Sequence, residues 1–418
     1  MSKFIINGQT KLKGEIKVSG SKNAMFPVLA AALLTEDECT FTNVPAIKDR
    51  EVFCALLENL GAQVKISDHT VVIQAKTITA HKLNSELSAK LRGSVVLLGA
   101  LLGRLGKAQM DFPGGDVIGK RSVSAHLRAF EKLGATTSIS GNIAVQADKL
   151  VGNKIVLEES SVTATENAIL ASVLASGETV IKLSAMEPHI QQLCEFLNQM
   201  GAKISGAGTT TITIIGVAKL HGANTTLIPD SNEAASFITL AAATKSDIKV
   251  TGLNPDYLDD FLQKLEEMKV NFSVGADFVH VHVPKENYLA TKIQCGLYPK
   301  LPSDDVPPLA VLATQAQGES LVYEWLYENR LGYVNELVLM GASAEILDSH
   351  QVKIIGPTEL KGAKMMSYDI RMGMTLVIAA LIANGASEID GIDHVDRGYE
   401  KIEERLSQLG AEIKRIEN

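Results

Sequence analysis

A short signal, leucine or methionine followed by glycine and alanine, recurs along this 418-residue chain at nearly constant intervals. The glycine of the signal stands at Gly61, Gly134, Gly201, Gly341 and Gly410, and a degenerate copy has Lys269 in its place. Successive copies are 73, 67, 68, 72 and 69 residues apart. One such triplet means nothing, but six at a near-constant spacing indicate a repeat architecture. Because glycine accepts the left-handed conformation without a Cβ penalty, each copy predicts the C-terminal end of a helix.

Each copy is followed by alternating apolar and polar residues, which predict a β-hairpin. The clearest hairpins pair 63–66 with 71–73, 136–139 with 143–145, 271–274 with 278–283, and 344–347 with 351–355. Each unit also has an earlier, alanine-rich helix, and these begin near Asn23, Leu91, Thr165, Asn232, Val306 and Arg371. Small residues on all sides predict helices that pack tightly on several faces. With one more strand after that helix, each unit has the order β-α-β-α-β-β in some circular register.

The sixth unit has only one hairpin strand, so we expect its missing partner to be the spare strand at 3–6. A chain of this length exceeds one ordinary core. The sequence therefore predicts an α/β fold of two domains with three units each, residues 21–229 and residues 1–20 plus 230–418. The chain would then pass between the two domains twice, at neighbouring linkers. Two linkers side by side predict a hinge that closes around a ligand.

Composition and charge narrow the class of partner. The net charge is −8 with no basic block, so no nucleic-acid partner is predicted. The apolar runs 26–34 and 375–383 are too short to span a bilayer, and the N-terminal residues do not resemble a signal peptide. The four cysteines have no metal-binding spacing and are expected to be thiols in a reducing compartment. We therefore expect a cytoplasmic protein with no membrane partner.

Charged residues recur at equivalent predicted helix starts. The first helices carry Lys22, Arg92, Glu166, Glu233, Asp304 and Arg371, and the second helices carry Asp49, Arg121, His189, Asp256, Arg330 and Arg397. Cations at a helix N-terminus oppose the helix dipole, so they are a poor choice for stability. Helix N-termini bind anions, and arginine forks suit phosphate and carboxylate. The pattern therefore predicts a cleft for anionic ligands, the competing interpretation being solvated surface charges.

The loop 112–121 has the sequence Phe-Pro-Gly-Gly-Asp-Val-Ile-Gly-Lys-Arg. Its three glycines allow sharp turns and a close approach of the backbone to a ligand. Asp116 places a carboxylate in mid-loop, and Arg121 ends the loop where a helical pattern begins. A glycine-rich loop alone is more often a surface turn. Because the repeat places Arg121 at a second-helix start, we expect a mobile active-site loop instead.

Five segments together resemble the UDP-N-acetylglucosamine 1-carboxyvinyltransferases, the MurA type of the EPSP synthase superfamily. These segments are 20–24 (GSKNA), 112–121, 302–304 (PSD), 328–330 (ENR) and 394–400 (HVDRGYE). The resemblance extends over essentially the whole chain. It implies an inside-out α/β barrel in each of two three-unit domains, with the N-terminal strands in the C-terminal domain. It also implies transfer of the enolpyruvyl group of phosphoenolpyruvate to the 3′-hydroxyl of UDP-N-acetylglucosamine, with release of phosphate and without a metal or organic cofactor.

The resemblance also assigns residues to roles. Lys22, Arg121 and Arg397 match the family's phosphoenolpyruvate contacts, and Asn23 matches a residue near the reacting centre. The UDP-sugar site and further basic positions match Arg92, Ser122, Val123, Ser124, Ala125, Glu159, Ser160, Ser161, Val162, Asp304, Leu326, Arg330 and Arg371.

Addition of an alcohol to an enol ether needs a base for the hydroxyl and an acid for the methylene carbon. Asp304 is the expected base, because residues 302–304 match the family's Pro-Thr-Asp, whereas the adjacent Asp305 is expected to point elsewhere. The candidate catalytic residues are Asp116, Asp304, Lys22 and Arg397.

Several positions depart from the family pattern. Asp116 stands where cysteine is usual, so the thiol target of the epoxide antibiotic fosfomycin is missing and we expect resistance with activity retained. As an acid, Asp116 needs a pKa raised from about 3.9 by desolvation. Glu159 replaces a usual lysine and Ser124 a usual acid, so we expect a looser UDP end or a variant nucleotide sugar. Pro307 and Pro308 are expected to delay the next helix.

Two other functions remain open on the sequence. One is transfer to the acceptor of 5-enolpyruvylshikimate-3-phosphate synthase, although the lysine of that enzyme is followed by serine, whereas Lys22 is followed by Asn23. The other is an inactive paralogue that binds UDP-sugars, which Glu159 and Ser124 motivate. Retention of Lys22 and Asp304 argues against an inactive protein.

Overall fold

A computed structural model describes residues 2–115, 119 and 121–417 of the chain. Within those residues there are 23 strands and 13 α-helices. The strands are β1 Lys3–Asn7, β2 Lys13–Lys17, β3 Glu38–Thr42, β4 Gln63–Ser67, β5 Thr70–Gln74, β6 Lys107–Met110, β7 Thr136–Ile139, β8 Ile143–Gln146, β9 Lys154–Val156, β10 Glu178–Lys182, β11 Lys203–Ser205, β12 Thr211–Ile215, β13 Asn224–Thr226, β14 Asp247–Thr251, β15 Phe272–Val274, β16 Phe278–Val281, β17 Lys292–Gln294, β18 Gly318–Tyr323, β19 Ser343–Ile346, β20 Gln351–Gly356, β21 Lys364–Met366, β22 Ala386–Asp390 and β23 Glu412–Ile416. The α-helices are α1 Lys22–Ala31, α2 Lys48–Leu60, α3 Ser85–Ser88, α4 Leu97–Leu105, α5 Ser124–Lys132, α6 Val162–Ser172, α7 Pro188–Gln199, α8 Ser231–Ala243, α9 Asp259–Glu267, α10 Val306–Ala313, α11 Tyr333–Leu339, α12 Ile370–Ile382 and α13 Ile402–Gln408.

The chain forms two compact units, each with its own hydrophobic core. The N-terminal unit contains Gly20–Gly115 and Arg121–Ile228. The C-terminal unit contains residues 2–19 and 229–417. No helix in the described part of the chain is long and apolar enough to cross a bilayer.

Each unit contains three sheets of one design, as the repeat predicts. In β11-β12-β10-β9, the strand β10 pairs antiparallel with β12 and parallel with β9, and β11 completes the hairpin. The other four-stranded sheets are β13-β3-β5-β4, β15-β16-β14-β2, β17-β18-β20-β19 and β21-β22-β1-β23. The sixth sheet, β6-β8-β7, has three strands, and a single parallel bridge from Lys82 to Gln109 occupies the fourth place. The predicted β-α-β-α-β-β unit is confirmed.

The alanine-rich helices lie at the centre of each unit, with the sheets outside them. In the C-terminal unit α8, α10 and α12 pack against one another, and in the N-terminal unit α4 packs against both α1 and α6. Every residue of α8 after Ser231 is buried, and all eight residues of α10 are buried. A helix surrounded on all sides needs small apolar residues, because large ones would hold its neighbours apart. This is an inside-out α/β barrel.

The six repeat signals end helices in the predicted way. Gly61, Gly134, Gly201, Gly341 and Gly410 have φ between 93° and 108°, and Lys269 has φ 63°. In each copy the next residue donates its N–H to the carbonyl five residues earlier, as Ala62 does to Leu57 over 3.1 Å. This is the Schellman pattern of helix termination. The alanine that follows the glycine is buried in all five copies, and so is Val270 after Lys269, which explains why an apolar residue occupies this position.

The N-terminal strand completes the last sheet, as predicted. β1 lies between β22 and β23 and pairs antiparallel with both, so that Lys3 is opposite Asp390 on one side and Ile416 on the other. β2 pairs parallel with β14 in a second sheet of the same unit. The first 19 residues therefore contribute strands to two sheets of the C-terminal unit.

Some predicted helix starts are wrong. The helix α6 begins at Val162, so Glu166 lies in its second turn instead of at its start. The prolines Pro307 and Pro308 do not delay α10, which begins at Val306. The N–H groups of a first helical turn have no partner within the helix, so proline is tolerated there.

Candidate active site

Asp304 is the centre of a polar cluster in the C-terminal unit. It lies on a turn of 3-10 helix, Ser303–Asp305, which leads into α10. Its Oδ1 accepts a hydrogen bond from Arg330 Nη2 at 2.6 Å. Its Oδ2 accepts from Arg371 Nε at 2.9 Å and from Asn232 Nδ2 at 3.0 Å. Three donors favour the ionised carboxylate, whose side chain is 27% exposed whereas both arginine side chains are only 5% exposed. A small molecule can therefore reach the carboxylate of Asp304, whereas the two arginine side chains are largely closed to solvent.

Arg371 is positioned by the start of α12. Asp369 caps this helix by accepting hydrogen bonds from the backbone N–H groups of Arg371 and Met372, both at 2.8 Å. The guanidinium of Arg371 also donates from Nη1 to Tyr399 Oη at 2.9 Å, and Tyr399 in turn bonds Ser236 Oγ at 2.8 Å. Burial opposes its charge, but Tyr399 and Asp304 offset that effect and raise the pKa of Arg371 well above its ordinary value. The cation is permanent.

Arg330 is held by a second network that also includes the loop of Leu326. Its Nη1 donates to Ser303 Oγ at 3.2 Å, and Ser303 donates to Glu324 Oε2 at 2.6 Å. Glu324 Oε1 accepts from the backbone N–H of Leu326 at 3.0 Å. Burial opposes the charge of Arg330, but Asp304 and further acidic groups raise its pKa above its ordinary value. The buried carboxylate of Glu324 thus connects the predicted residue Leu326, through Ser303, to Arg330, which in turn contacts Asp304.

Arg397 lies close in sequence to this cluster but has a more exposed setting. It ends a 3-10 turn, Val395–Arg397, and is half-buried. Tyr399, two residues later, is the residue that contacts Arg371. The segment that contains Arg397 is therefore attached, through Tyr399 and Arg371, to the polar cluster around Asp304.

Asp305, next to the expected base, is buried with an exposed fraction of 1%. Neither of its carboxyl oxygens has a hydrogen-bond partner within the described part of the chain. Burial raises the pKa of Asp305 well above its ordinary value, and the charge of Asp304 adds to this, while Arg371 and Arg330 partly offset it. Asp304 and Asp305 are thus neighbouring carboxyls with opposite environments, one hydrogen-bonded and one dry.

In the N-terminal unit, Lys22 is the first residue of α1. Ser21 caps this helix by accepting from the N–H of Ala24 at 3.2 Å. The ammonium of Lys22 lies 3.7 Å from Asp49 Oδ2, and Asn23 beside it is half-buried. Asp49 is itself buried, so the pair sets a cation at a helix start in a partly desolvated setting.

Arg92 and the segment after the loop form a second group in this unit. Arg92 lies on a 3-10 turn, Arg92–Val96, and donates from Nη2 to the carbonyl of Arg121 at 2.6 Å. Ser122 Oγ accepts from the N–H of Ser124 at 3.0 Å and also bonds its hydroxyl at 2.9 Å. The adjacent Val123 and Ala125 are buried. Arg92 therefore fixes the backbone just before α5.

The segment Glu159 to Val162 forms the cap of α6. Ser161 accepts from the N–H of Ala164 at 3.4 Å, and its own N–H donates to the carbonyl of Glu159 at 2.7 Å. Ser160 Oγ donates to the carbonyl of Ser184 at 3.4 Å. The side chain of Glu159 is exposed, while Ser160, Ser161 and Val162 are half-buried. The cap is ordered by its own backbone bonds.

Several cations lie on turns before the helices instead of at their first residues. Arg92 and Arg330 begin 3-10 turns that lead into α4 and α11, and Arg397 ends one before α13. Arg121 precedes the first residue of α5 by three positions. The expectation that these cations stand at α-helix starts is wrong in detail, since a turn intervenes. Asp116 lies outside the described residues.

The cluster around Asp304 includes residues that the sequence reasoning did not assign to the site. Asn232 contacts Asp304 directly, Tyr399 contacts Arg371, and Glu324 supports Arg330 through Ser303. Asn232 stands at a predicted helix start and Tyr399 lies in the 394–400 motif, so the sequence contained features that could have assigned both residues to the site. Glu324 lies at the end of a strand with no motif around it.

Comparison with known proteins agrees with this picture. Residues 6–406 match the family model described as EPSP synthase (3-phosphoshikimate 1-carboxyvinyltransferase). A UDP-N-acetylglucosamine 1-carboxyvinyltransferase from Bradyrhizobium diazoefficiens is 40% identical, covering 99% of this chain and 98% of its own. One from Clostridium acetobutylicum is 41% identical, covering 99% of each chain. Among solved structures, the enolpyruvyl transferase NikO from Streptomyces tendae has a TM-score of 0.89 at 24% identity, covering 99% of this chain and 98% of its own. An EPSP synthase from Acinetobacter baumannii has a TM-score of 0.77 at 18% identity, covering all of both chains.

The relatives that this chain matches over its full length at about 40% identity are carboxyvinyltransferases, so the chain is an enzyme of the transferase class. The chain belongs to the EPSP synthase family, which the family model matches over nearly its whole length.

Proposed function

We propose that this enzyme transfers the enolpyruvyl group of phosphoenolpyruvate to the 3′-hydroxyl of UDP-N-acetylglucosamine and releases phosphate. The observation that carries the proposal is identity of about 40% across the full length of proteins bearing that name. The product is the first committed precursor of peptidoglycan, so cell shape and division depend on the reaction.

The chemistry suits the residues of both units. The sugar hydroxyl adds to C2 of phosphoenolpyruvate while a proton adds to its methylene carbon, giving a tetrahedral intermediate. Loss of phosphate and of a methyl proton then restores the double bond. Asp304 is the base for the hydroxyl, because its ionised carboxylate is held by three donors and remains partly exposed. We propose that Asp116 donates the proton that adds to the methylene carbon.

The cations have an electrostatic role. Lys22, Arg121 and Arg397 bind the phosphate and carboxylate of the donor and stabilise the charge that shifts to the leaving phosphate. The side chains of Arg371 and Arg330 are too buried to serve mainly as ligand contacts, so their role is to orient Asp304. The segments at Ser122–Ala125 and Glu159–Val162, together with Asn23, Arg92 and Leu326, form the acceptor site.

We also place the enzyme in the cytoplasm. The four cysteines, Cys39, Cys54, Cys194 and Cys295, are buried free thiols. Free thiols are typical of reducing compartments.

Phosphate release tests the proposal. Purified protein is given phosphoenolpyruvate with UDP-N-acetylglucosamine or with shikimate 3-phosphate, and phosphate is measured over time. Turnover is expected only with the nucleotide sugar, and Asp304→Asn is expected to lower kcat by at least about 100-fold. Asp256→Asn is the control, since Asp256 is an exposed carboxylate that, like Asp304, lies on a 3-10 turn before a helix of the C-terminal unit. Turnover with shikimate 3-phosphate alone would favour the other acceptor, and binding without turnover would favour an inactive paralogue.

A further inference from the structure

Two histidines and an aspartate meet on one sheet of the C-terminal unit. Asp247 is the first residue of β14, His280 lies in β16 and His282 follows it. His280 Nε2 is 3.0 Å from Asp247 Oδ1, and His282 Nδ1 is 3.6 Å from Asp247 Oδ2. One ligand atom from each of the three lies within 4.8 Å of the others.

The strand register explains why the three side chains meet. Ile248 pairs with Val281, so their outward neighbours Asp247 and His282 lie opposite each other, and His280 precedes His282 by two residues. Side chains two residues apart on a strand share a face. The alternate residues, such as Ile248 and Val281, are fully buried in the core. The three polar groups are therefore presented outward by strands that the core holds in place.

A fourth side chain orients one histidine. Ser273 Oγ is 3.0 Å from His282 Nε2, the ring nitrogen remote from Asp247. A hydrogen bond to the remote nitrogen fixes the ring and leaves Nδ1 for another partner, which is how supporting residues orient metal ligands.

Neighbouring cations do not fill the position. Lys249, the register partner of His280, has its ammonium 4.0 Å from the centre of the Phe278 ring. Lys13 faces Asp247 from β2. In the described part of the chain, the ion pairs of Asp247 are with the two histidines. Two imidazoles thus share one carboxylate.

We propose that Asp247, His280 and His282 form a binding site for a divalent transition-metal ion, with Zn²⁺ as the representative ion. Two imidazole nitrogens and one carboxylate oxygen are ligands that Zn²⁺ prefers, and three protein ligands leave a fourth position for water. The ion takes the place of the proton shared between imidazole and carboxylate. It bridges β14 and β16, so its role is to stabilise the sheet.

The site is separate from the candidate active site. Asp304 contacts Asn232 near the start of α8, whereas Asp247 follows the end of that helix. A helix of 13 residues is about 20 Å long. The inference therefore does not depend on the proposed reaction.

Zinc titration of the untagged full-length protein tests this proposal. After treatment with a chelator and its removal, calorimetry with ZnCl₂ is expected to give one bound ion per chain, and Co²⁺ is expected to give visible absorption bands. His280→Gln and His282→Gln are each expected to abolish this binding, and Ser273→Ala to weaken it about 10-fold or more.

His221→Gln is the control, because His221 is an exposed histidine of the N-terminal unit; it is expected to bind Zn²⁺ as wild type does. The thermal midpoint of the wild type is expected to rise with ZnCl₂, and that of Asp247→Asn to stay constant. Absence of binding to the wild type, or unchanged stoichiometry and affinity in both histidine variants, would overturn the proposal.

Discussion

Replacing Asp305 by asparagine isolates the dry carboxyl beside the candidate base. Asp305 is buried, its oxygens have no hydrogen-bond partner among the described residues, and its pKa is raised well above the ordinary value by burial and by Asp304. In the unfolded chain the same carboxyl titrates near 3.9. Above that pH the folded state keeps a proton that the unfolded state releases. Stability is therefore lost as the pH rises from about 4 to the folded-state pKa, and it is constant above that.

One proton sets the magnitude. A difference of one bound proton changes the free energy of unfolding by about 1.4 kcal/mol for each pH unit. For a unit of roughly 150–250 residues, that corresponds to about 3–6 °C in thermal midpoint per pH unit. Asparagine has nearly the shape of the protonated acid and does not titrate. Asp305→Asn is therefore expected to match the wild type near pH 4 and to become progressively more stable than it as the pH rises.

The single tryptophan provides the assay. Trp325 lies in the C-terminal unit, 48% exposed, so its fluorescence reports unfolding of that unit. Melting curves at pH 4, 5, 6 and 7 are compared for the wild type, Asp305→Asn and the exposed-carboxylate control Asp256→Asn. The difference between Asp305→Asn and the wild type is expected to grow with pH, while the control stays parallel to the wild type. A constant difference from pH 4 to pH 7 would refute a raised pKa at Asp305.

Three further predictions concern the loop, a helix end and the arginine cluster. Fosfomycin is expected to leave phosphate release intact and to form no adduct by mass spectrometry, whereas Asp116→Cys is expected to be alkylated and inactivated; an adduct on Asp116 would contradict this. Lys269→Gly is expected to stabilise the C-terminal unit by about 1 kcal/mol, because glycine relieves a left-handed lysine at φ 63°; a lower melting midpoint of Trp325 fluorescence would count against it. Tyr399→Phe is expected to destabilise the same unit by about 1.5–3 kcal/mol, because the buried Arg371 guanidinium loses a hydrogen-bond acceptor; denaturant titration measures this, and an unchanged free energy of unfolding would disprove it.

The repeat was predictable because its signals are local. A residue in the left-handed conformation selects glycine, so five of six helix ends were marked by sequence, and only their constant spacing was needed to recognise Lys269 as the sixth. The position of β1 followed by elimination, since a hairpin strand such as β23 requires a partner.

The candidate site was less predictable because its contacts depend on packing. Asn232 and Arg371 are 72 and 67 residues from Asp304 in sequence and meet it only because α8, α10 and α12 pack together. The burial of Asp305 could not be read from its neighbours, because a 3-10 turn before α10 decides which of two adjacent carboxyls faces solvent. Sequence thus identified charged positions but not which of them touch.

The pairing of strand β1 fixes the order in which the two units can complete their folds during synthesis. Every strand of the three N-terminal sheets lies between Glu38 and Thr226, so that unit has all its strands once Thr226 has been made. β1 is made before that unit, yet its register partners include Ile416, which is made after it. Until then β1 lacks the neighbours that cover its edges, and unpaired strand edges promote association with other chains. During synthesis, the C-terminal unit is therefore expected to complete its fold later than the N-terminal unit, once β23 is available to pair with β1.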